Sequence, residues 1–294
     1  MHLLVLIWGF TAILGKMIQI PSVEVVFFRT LISAVVLYLW LRFKLKNLGT
    51  ASRRDRLVQM GTGILIAAHW ILFFLSARIS NVSVCLAGLA TISLWTALIE
   101  PIYYKKKMRA FDVVLGLIAL VGMLIIFKVE FQFWLGLVLG IGSALLASIF
   151  TIINAEFVRH GQDHFVVTFY EMLGAFLAIV LFFPFYYAIQ GTIELTPSLT
   201  DWSWLVILAV VCTVYAYSIS VKLMKDISPF VMNLTVNLEP IYGILLAVLI
   251  FGDSEEMSRG FYLGGSLILA AVLIYPIWNK YSNRKPLDNR HGSA

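Results

Sequence analysis

Charge is what this chain has least of. Only 13% of its 294 residues are Asp, Glu, Lys or Arg, against 61% hydrophobic residues, whereas a soluble domain carries about 25% charged residues. With a mean hydropathy of +0.91, that shortage excludes a single large water-soluble core and leaves a polytopic membrane protein. Cysteine is scarce too. Cys85 and Cys212 both lie inside apolar runs, as small packing residues rather than a disulfide or a metal site. A phosphate-binding loop, a zinc-binding histidine pair, a nucleophile elbow and a paired-aspartate motif are all missing, which argues against ATP hydrolysis and common hydrolytic chemistry. The sequence implies no cofactor and no metal. A net charge of +6 suggests nucleic acid only until the basic residues are placed. They sit between apolar runs, where they report topology instead.

Ten stretches approach the roughly 17–25 apolar residues that a membrane span requires: 3–18, 25–41, 57–77, 82–103, 111–127, 134–157, 165–189, 202–221, 229–251 and 260–278. The first is the shortest. It lacks a preceding basic region and a small-residue cleavage site, so it reads as a span rather than a cleavable leader. Short loops make neighbouring spans antiparallel. Seventeen Lys and Arg residues then fall on one side, among them Lys44, Lys46, Lys105 to Lys107, Arg109, Arg159 and Lys225, against four on the other, Lys16, Arg78, Lys128 and Arg259. The positive side is cytoplasmic, so both termini are predicted inside. The polar stretch 281–294 reads as a disordered cytoplasmic tail.

The chain also repeats itself. Setting Ile79 on Ile227 sets Ser80 on Ser228 and Gly116 on Gly264 without a gap, an offset of 148. Setting Leu31 on Leu173 lays Val26–Leu31 over Thr168–Leu173, with Arg29 on Glu171. Five spans per half is an odd number, so the halves 1–128 and 134–280 must face opposite ways. The expected fold is all-α, with ten transmembrane helices as two inverted five-helix repeats. Transporters built this way hold substrate between the halves.

Trp8-Gly9, Phe28-Arg29, the stretch from Leu75 to Ser80, and Leu238-Glu239-Pro240 followed by an apolar run to Phe251-Gly252-Asp253 together resemble the EamA family of the drug/metabolite transporter superfamily. The resemblance spans nearly the whole chain. It implies a ten-helix basket in a bacterial inner membrane that carries small metabolites, often amino acids or their analogues, usually outward. One departure is the Lys105-Lys106-Lys107 run, where the family often has a Gly-Glu pair.

Each ionisable group inside a span costs at least about 2.5–3.5 kcal/mol and so requires a reason. Arg29 can grip a carboxylate bidentately, snorkel to the outer interface or brace the fold. His69, flanked by Trp70 and one turn from Phe73, can couple substrate to protons or bond a neighbouring helix. Trp8 and Trp95 lie near midplane, as cavity walls or as core. Glu171, following Tyr170, can meet a substrate ammonium, accept a proton or pair with a basic group at the inner face. Glu239-Pro240 marks a kink that gates or braces, with Asn237 beside it. Asn154, Asn233, Tyr215 and Tyr217 offer neutral hydrogen bonds to a ligand or between helices. Gly136 and Gly140 permit close helix packing.

A secondary transporter of a small molecule within a lipid bilayer fits these features best. The competing readings are an intramembrane hydrolase using Ser143 with His69, and a passive channel or lipid flippase.

Overall fold

The computed structural model describes residues 1–44, 51–107 and 110–282. Most of the predicted tail, together with Lys46 and Arg109, lies outside the described residues. Among the described residues there is no strand. The helices are α1 (His2–Met17), α2 (Ser22–Lys44), α3 (Arg53–Ile79), α4 (Val82–Leu89), α5 (Ile92–Tyr103), α6 (Ala110–Val129), α7 (Trp134–Arg159), α8 (His164–Gln190), α9 (Leu199–Ile207), α10 (Ser218–Leu223), α11 (Pro229–Val236), α12 (Glu239–Phe251) and α13 (Arg259–Ser282). A π-helical segment, Leu208–Tyr217, joins α9 to α10. Because α13 runs to Ser282, residues 281 and 282 are helical rather than part of a tail. Among the described residues, seven stretches are long and apolar enough to cross a membrane: Ser22–Lys44, Arg53–Ile79, Val82–Tyr103, Phe131–Arg159, His164–Gln190, Leu199–Leu223 and Pro229–Glu255. Shorter α1 is also apolar.

Local chemistry sets many of the ends. Ser52 with Asp55, and Ser198 with Asp201, form reciprocal capping boxes that open α3 and α9. Asn81, Asp163 and Ser228 cap α4, α8 and α11 through their side chains. α8 stops where Gly191 turns left-handed at φ 76°.

Two of the apolar stretches are each two helices. One breaks at Ala90–Thr91 and the other at Asn237–Leu238. The 148-residue offset sets Ala90 on Leu238, so the breaks fall at matched positions of the repeat. The sequence reading put a kink at Pro240. The helix instead ends and restarts, with Pro240 in the first turn of α12, where its missing N–H removes no helix bond.

Two helices pack against their own sequence counterparts. Phe27 meets Phe176, Tyr38 meets Phe169 and Trp40 meets Phe165, so α2 and α8 run antiparallel. Phe111 stacks on Trp278, and a Cβ on Gly122 would lie 2.5 Å from the Gly264 carbonyl, so α6 and α13 do the same. Small residues permit the closest approaches. A Cβ on Gly63 would strike the Glu171 carbonyl at 2.1 Å, and one on Gly140 would press Gly88 at 3.2 Å.

Candidate functional site

The two breaks, the π segment and the middles of α1, α2, α3 and α7 surround one cavity. Water-molecule centres can occupy about 90 Å³ of it, enough for several waters. Of the residues singled out in the sequence, Trp8, Arg29, His69, Trp70, Phe73, Tyr217 and Asn233 line it, and so does Glu239, which was assigned to gating or bracing.

Arg29 is 2% exposed, which overturns the snorkelling alternative. Its guanidinium lies 3.6 Å from the Trp70 ring centroid, and Nε donates to Thr213 Oγ1 at 2.8 Å. Neither terminal nitrogen is hydrogen-bonded, and Nη1 is fully buried. A stacked guanidinium whose terminal nitrogens are unbonded retains donors for a carboxylate, while its Trp70 and Thr213 contacts brace neighbouring helices. Glu239 is 4% exposed and lies within electrostatic reach of Arg29 without forming an ion pair with it. The cavity therefore presents a guanidinium and a carboxyl group apart from one another, with aromatic surface from Trp8, Trp70, Phe73, Phe150 and Tyr217 around them.

The π segment supplies much of this geometry. A π turn leaves carbonyls offset from the α-helical ladder. Ser33 donates to Ala209 O at 3.2 Å, Trp8 Nε1 to Cys212 O at 3.2 Å, and Thr213 Oγ1 to Leu208 O at 3.1 Å. Thr213 thus donates to its own helix and accepts from Arg29. Nothing in the local sequence announces this segment.

His69 Nδ1 is 2.9 Å from the Ser143 carbonyl and 2.8 Å from Ser143 Oγ. A carbonyl can only accept, so Nδ1 bears the proton and Nε2 is the acceptor. The Ser143 hydroxyl donates to His69 O at 3.1 Å. Nδ1 therefore cannot take a proton from that hydroxyl, and Ser143 is itself fully buried. This contact braces two helices rather than activating a nucleophile.

Four anticipated residues stand behind the cavity wall. Asn154 Nδ2 donates to Tyr217 Oη at 2.6 Å, and Tyr217 Oη donates to Glu171 Oε2 at 3.1 Å. Glu171 is fully buried and meets no basic group, contrary to the inner-face pairing considered from sequence. From the ring pairs it sits opposite about residue 35 of α2, roughly 9 Å along the axis from Arg29, so the two charges are much closer in depth than expected. Asn237 Nδ2 donates to Ser93 Oγ at 2.6 Å, tying one break to the start of α5. Tyr170 packs edge-on to Phe169 in the core. Trp95 is also off the cavity, with a buried, unbonded indole nitrogen. The restart at Ile92 puts Ile92 on the lining instead. Tyr215 is 47% exposed on the outer surface.

The residues that sequence reasoning missed are mostly uncharged: Thr11, Leu89, Ile92, Phe150, Thr151, Ser220, Met224 and Met232. Ala147, Phe150 and Thr151 fall at helical spacing on α7, one turn before Asn154, so their face was legible in principle.

A family model described as the EamA-like transporter family matches residues 1–128 and again 134–275. A solved crystal structure superimposes with a TM-score of 0.69 at 15% identity, covering 94% of this chain and 95% of that one. At such identity the likeness speaks for the fold alone. Among curated proteins none matches. Two successive matches to one model, across nearly all of an all-helical, multiply spanning chain, decide the class. The chain belongs to the EamA-like transporter family, a family of membrane transporters.

Proposed function

We propose that this protein is a secondary carrier of a small zwitterionic metabolite, an amino acid or related compound, that works by alternating access and serves export. Its ten spans form two inverted five-helix halves, 1–128 and 134–280. It resides in a bacterial inner membrane with both termini in the cytoplasm. The observation that carries this reading is the pairing, on one small aromatic cavity, of the Arg29 fork with the Glu239 carboxylate. A substrate carboxylate satisfies the first, its ammonium the second, and the ring faces take an apolar side chain. An uncompensated buried charge is costly, so a ligand that offsets both is favoured over either ion alone. Matched breaks in two spans beside the cavity agree with carriers that build substrate sites from discontinuous helices.

Labelled amino-acid counterflow in proteoliposomes tests this. Exchange that saturates and is stimulated by unlabelled substrate on the far side is expected. Flux that is linear in concentration, without trans-stimulation, would make the protein a channel. The absence of flux for every zwitterion, with a neutral or anionic metabolite exchanging instead, would remove the substrate class.

A further inference from the structure

Two polar clusters join the broken spans at opposite ends, beyond the residues that line the cavity. At one end, the fully buried Glu255 follows α12. Its Oε1 accepts from Lys16 Nζ at 2.7 Å and from Val82 N at 3.1 Å, and its Oε2 accepts from Ser83 N at 2.9 Å and Ser83 Oγ at 3.1 Å. One carboxylate thus joins the end of α1, the end of one broken span and the start of the other. At the opposite end, Glu100 Oε2, near the end of α5, accepts from Phe230 N at 2.9 Å. Arg159, ending α7, donates to Ile227 O at 3.1 Å and to Tyr104 Oη at 3.2 Å.

The repeat offset of 148 sets Val82 on Phe230, and the offset of 142 sets Lys16 one residue from Arg159. The two clusters are alike in kind, although the offset sets Glu100 on Val248 rather than on Glu255. In each, a carboxylate toward or beyond the end of one broken span accepts from an opening amide of the other, and a cation ending the first helix of a repeat bonds beside it.

We propose that these clusters are reciprocal latches on the two gates, Glu255 with Lys16 on the outer side and Glu100 with Arg159 on the inner side. Releasing one lets the two broken spans separate at that face while the other still holds. The inference rests on the carrier reading and adds the device that times it. Glu255 is fully buried and ion-paired to Lys16.

Accessibility, not transport, tests this, so its outcome is independent of whether the cavity binds a zwitterion. A reporter cysteine replaces Ile92 on the cavity lining, and an impermeant thiol reagent is applied to intact cells and to inside-out vesicles. Protein without the reporter controls for the buried native thiols. Glu255→Gln should raise labelling from outside about tenfold, the effect expected from losing one charge-assisted bond, and lower it from inside. Glu100→Gln should do the reverse. Lys16→Gln leaves the amide contacts of Glu255 intact and should shift labelling the same way as Glu255→Gln, by less. It decides the matter if Glu255→Gln fails to accumulate. Unchanged rates, or shifts of the outer and inner variants toward the same face, would overturn the proposal.

Discussion

At the residue scale the site rests on how a few polar atoms are divided between structure and ligand. His69 gives Nδ1–H to a carbonyl on α7 and has Nε2 remaining as an acceptor. His69→Ala leaves the Ser143 carbonyl without its donor and should destabilise the protein by about 1–3 kcal/mol. His69→Gln can restore an amide donor and should lose less. Thermal melting monitored by size-exclusion profile checks this, and equal melting of parent and Ala variant would show the contact to be idle. Arg29, His69 and Glu239 were legible in the sequence because ionisable groups in apolar runs are expensive and so stand out. Trp95 and Tyr170 were misjudged for the complementary reason. An aromatic residue is equally at home in a wall or a core, and its type says nothing about which way a locally broken helix turns it. Phe150, Met224 and Met232 went unnoticed because they look like any membrane-core residue.

At the element scale the departures from regular helix do the positioning. The π segment turns Thr213 so that it can bond Leu208 O and receive Arg29 Nε together. Thr213→Val keeps the volume and removes both bonds. Transport should fall about tenfold, as for loss of a hydrogen bond to a charged group, while yield and monodispersity hold. Thr213→Ser should recover most of the rate. Parent-like counterflow in the Val variant would detach the π segment from function. The break at Asn237–Leu238 was half visible, since Pro240 signals an interruption. A kink and a restart look alike in sequence, because proline is excluded from helix interiors but welcome in a first turn. The matching break at Ala90–Thr91 carries no proline or glycine. It is held by Thr91 Oγ1 donating to Gly88 O and by the Asn237–Ser93 bond from the other half. Such tertiary causes leave no local trace.

At the scale of the whole molecule, hydropathy and the repeat conveyed most of the architecture, because lipid forces each crossing to satisfy its own backbone. The proposed orientation rests on the seventeen-to-four division of basic residues. Cysteines introduced at Lys46, Lys106 and Asn283 should be shielded from an impermeant thiol reagent outside intact cells, while those at Gln19, Gln132 and Thr196 should label. The reverse pattern would invert the molecule and, with it, the assignment of the outer and inner latches.

The central claim is that Arg29 and Glu239 hold the two ends of one zwitterion, and analogue discrimination in proteoliposomes tests it most directly. Counterflow of a labelled amino acid should be inhibited by the free amino acid. Its N-acetyl derivative, which lacks the ammonium, and its decarboxylated amine should each compete at least about tenfold more weakly, given roughly 1.5–3 kcal/mol for a hydrogen bond to a charged group. In Glu239→Gln the penalty for N-acetylation should shrink, and in Arg29→Gln the penalty for decarboxylation should shrink. Competition by all three compounds with equal strength, or penalties unmoved by either variant, would contradict the account.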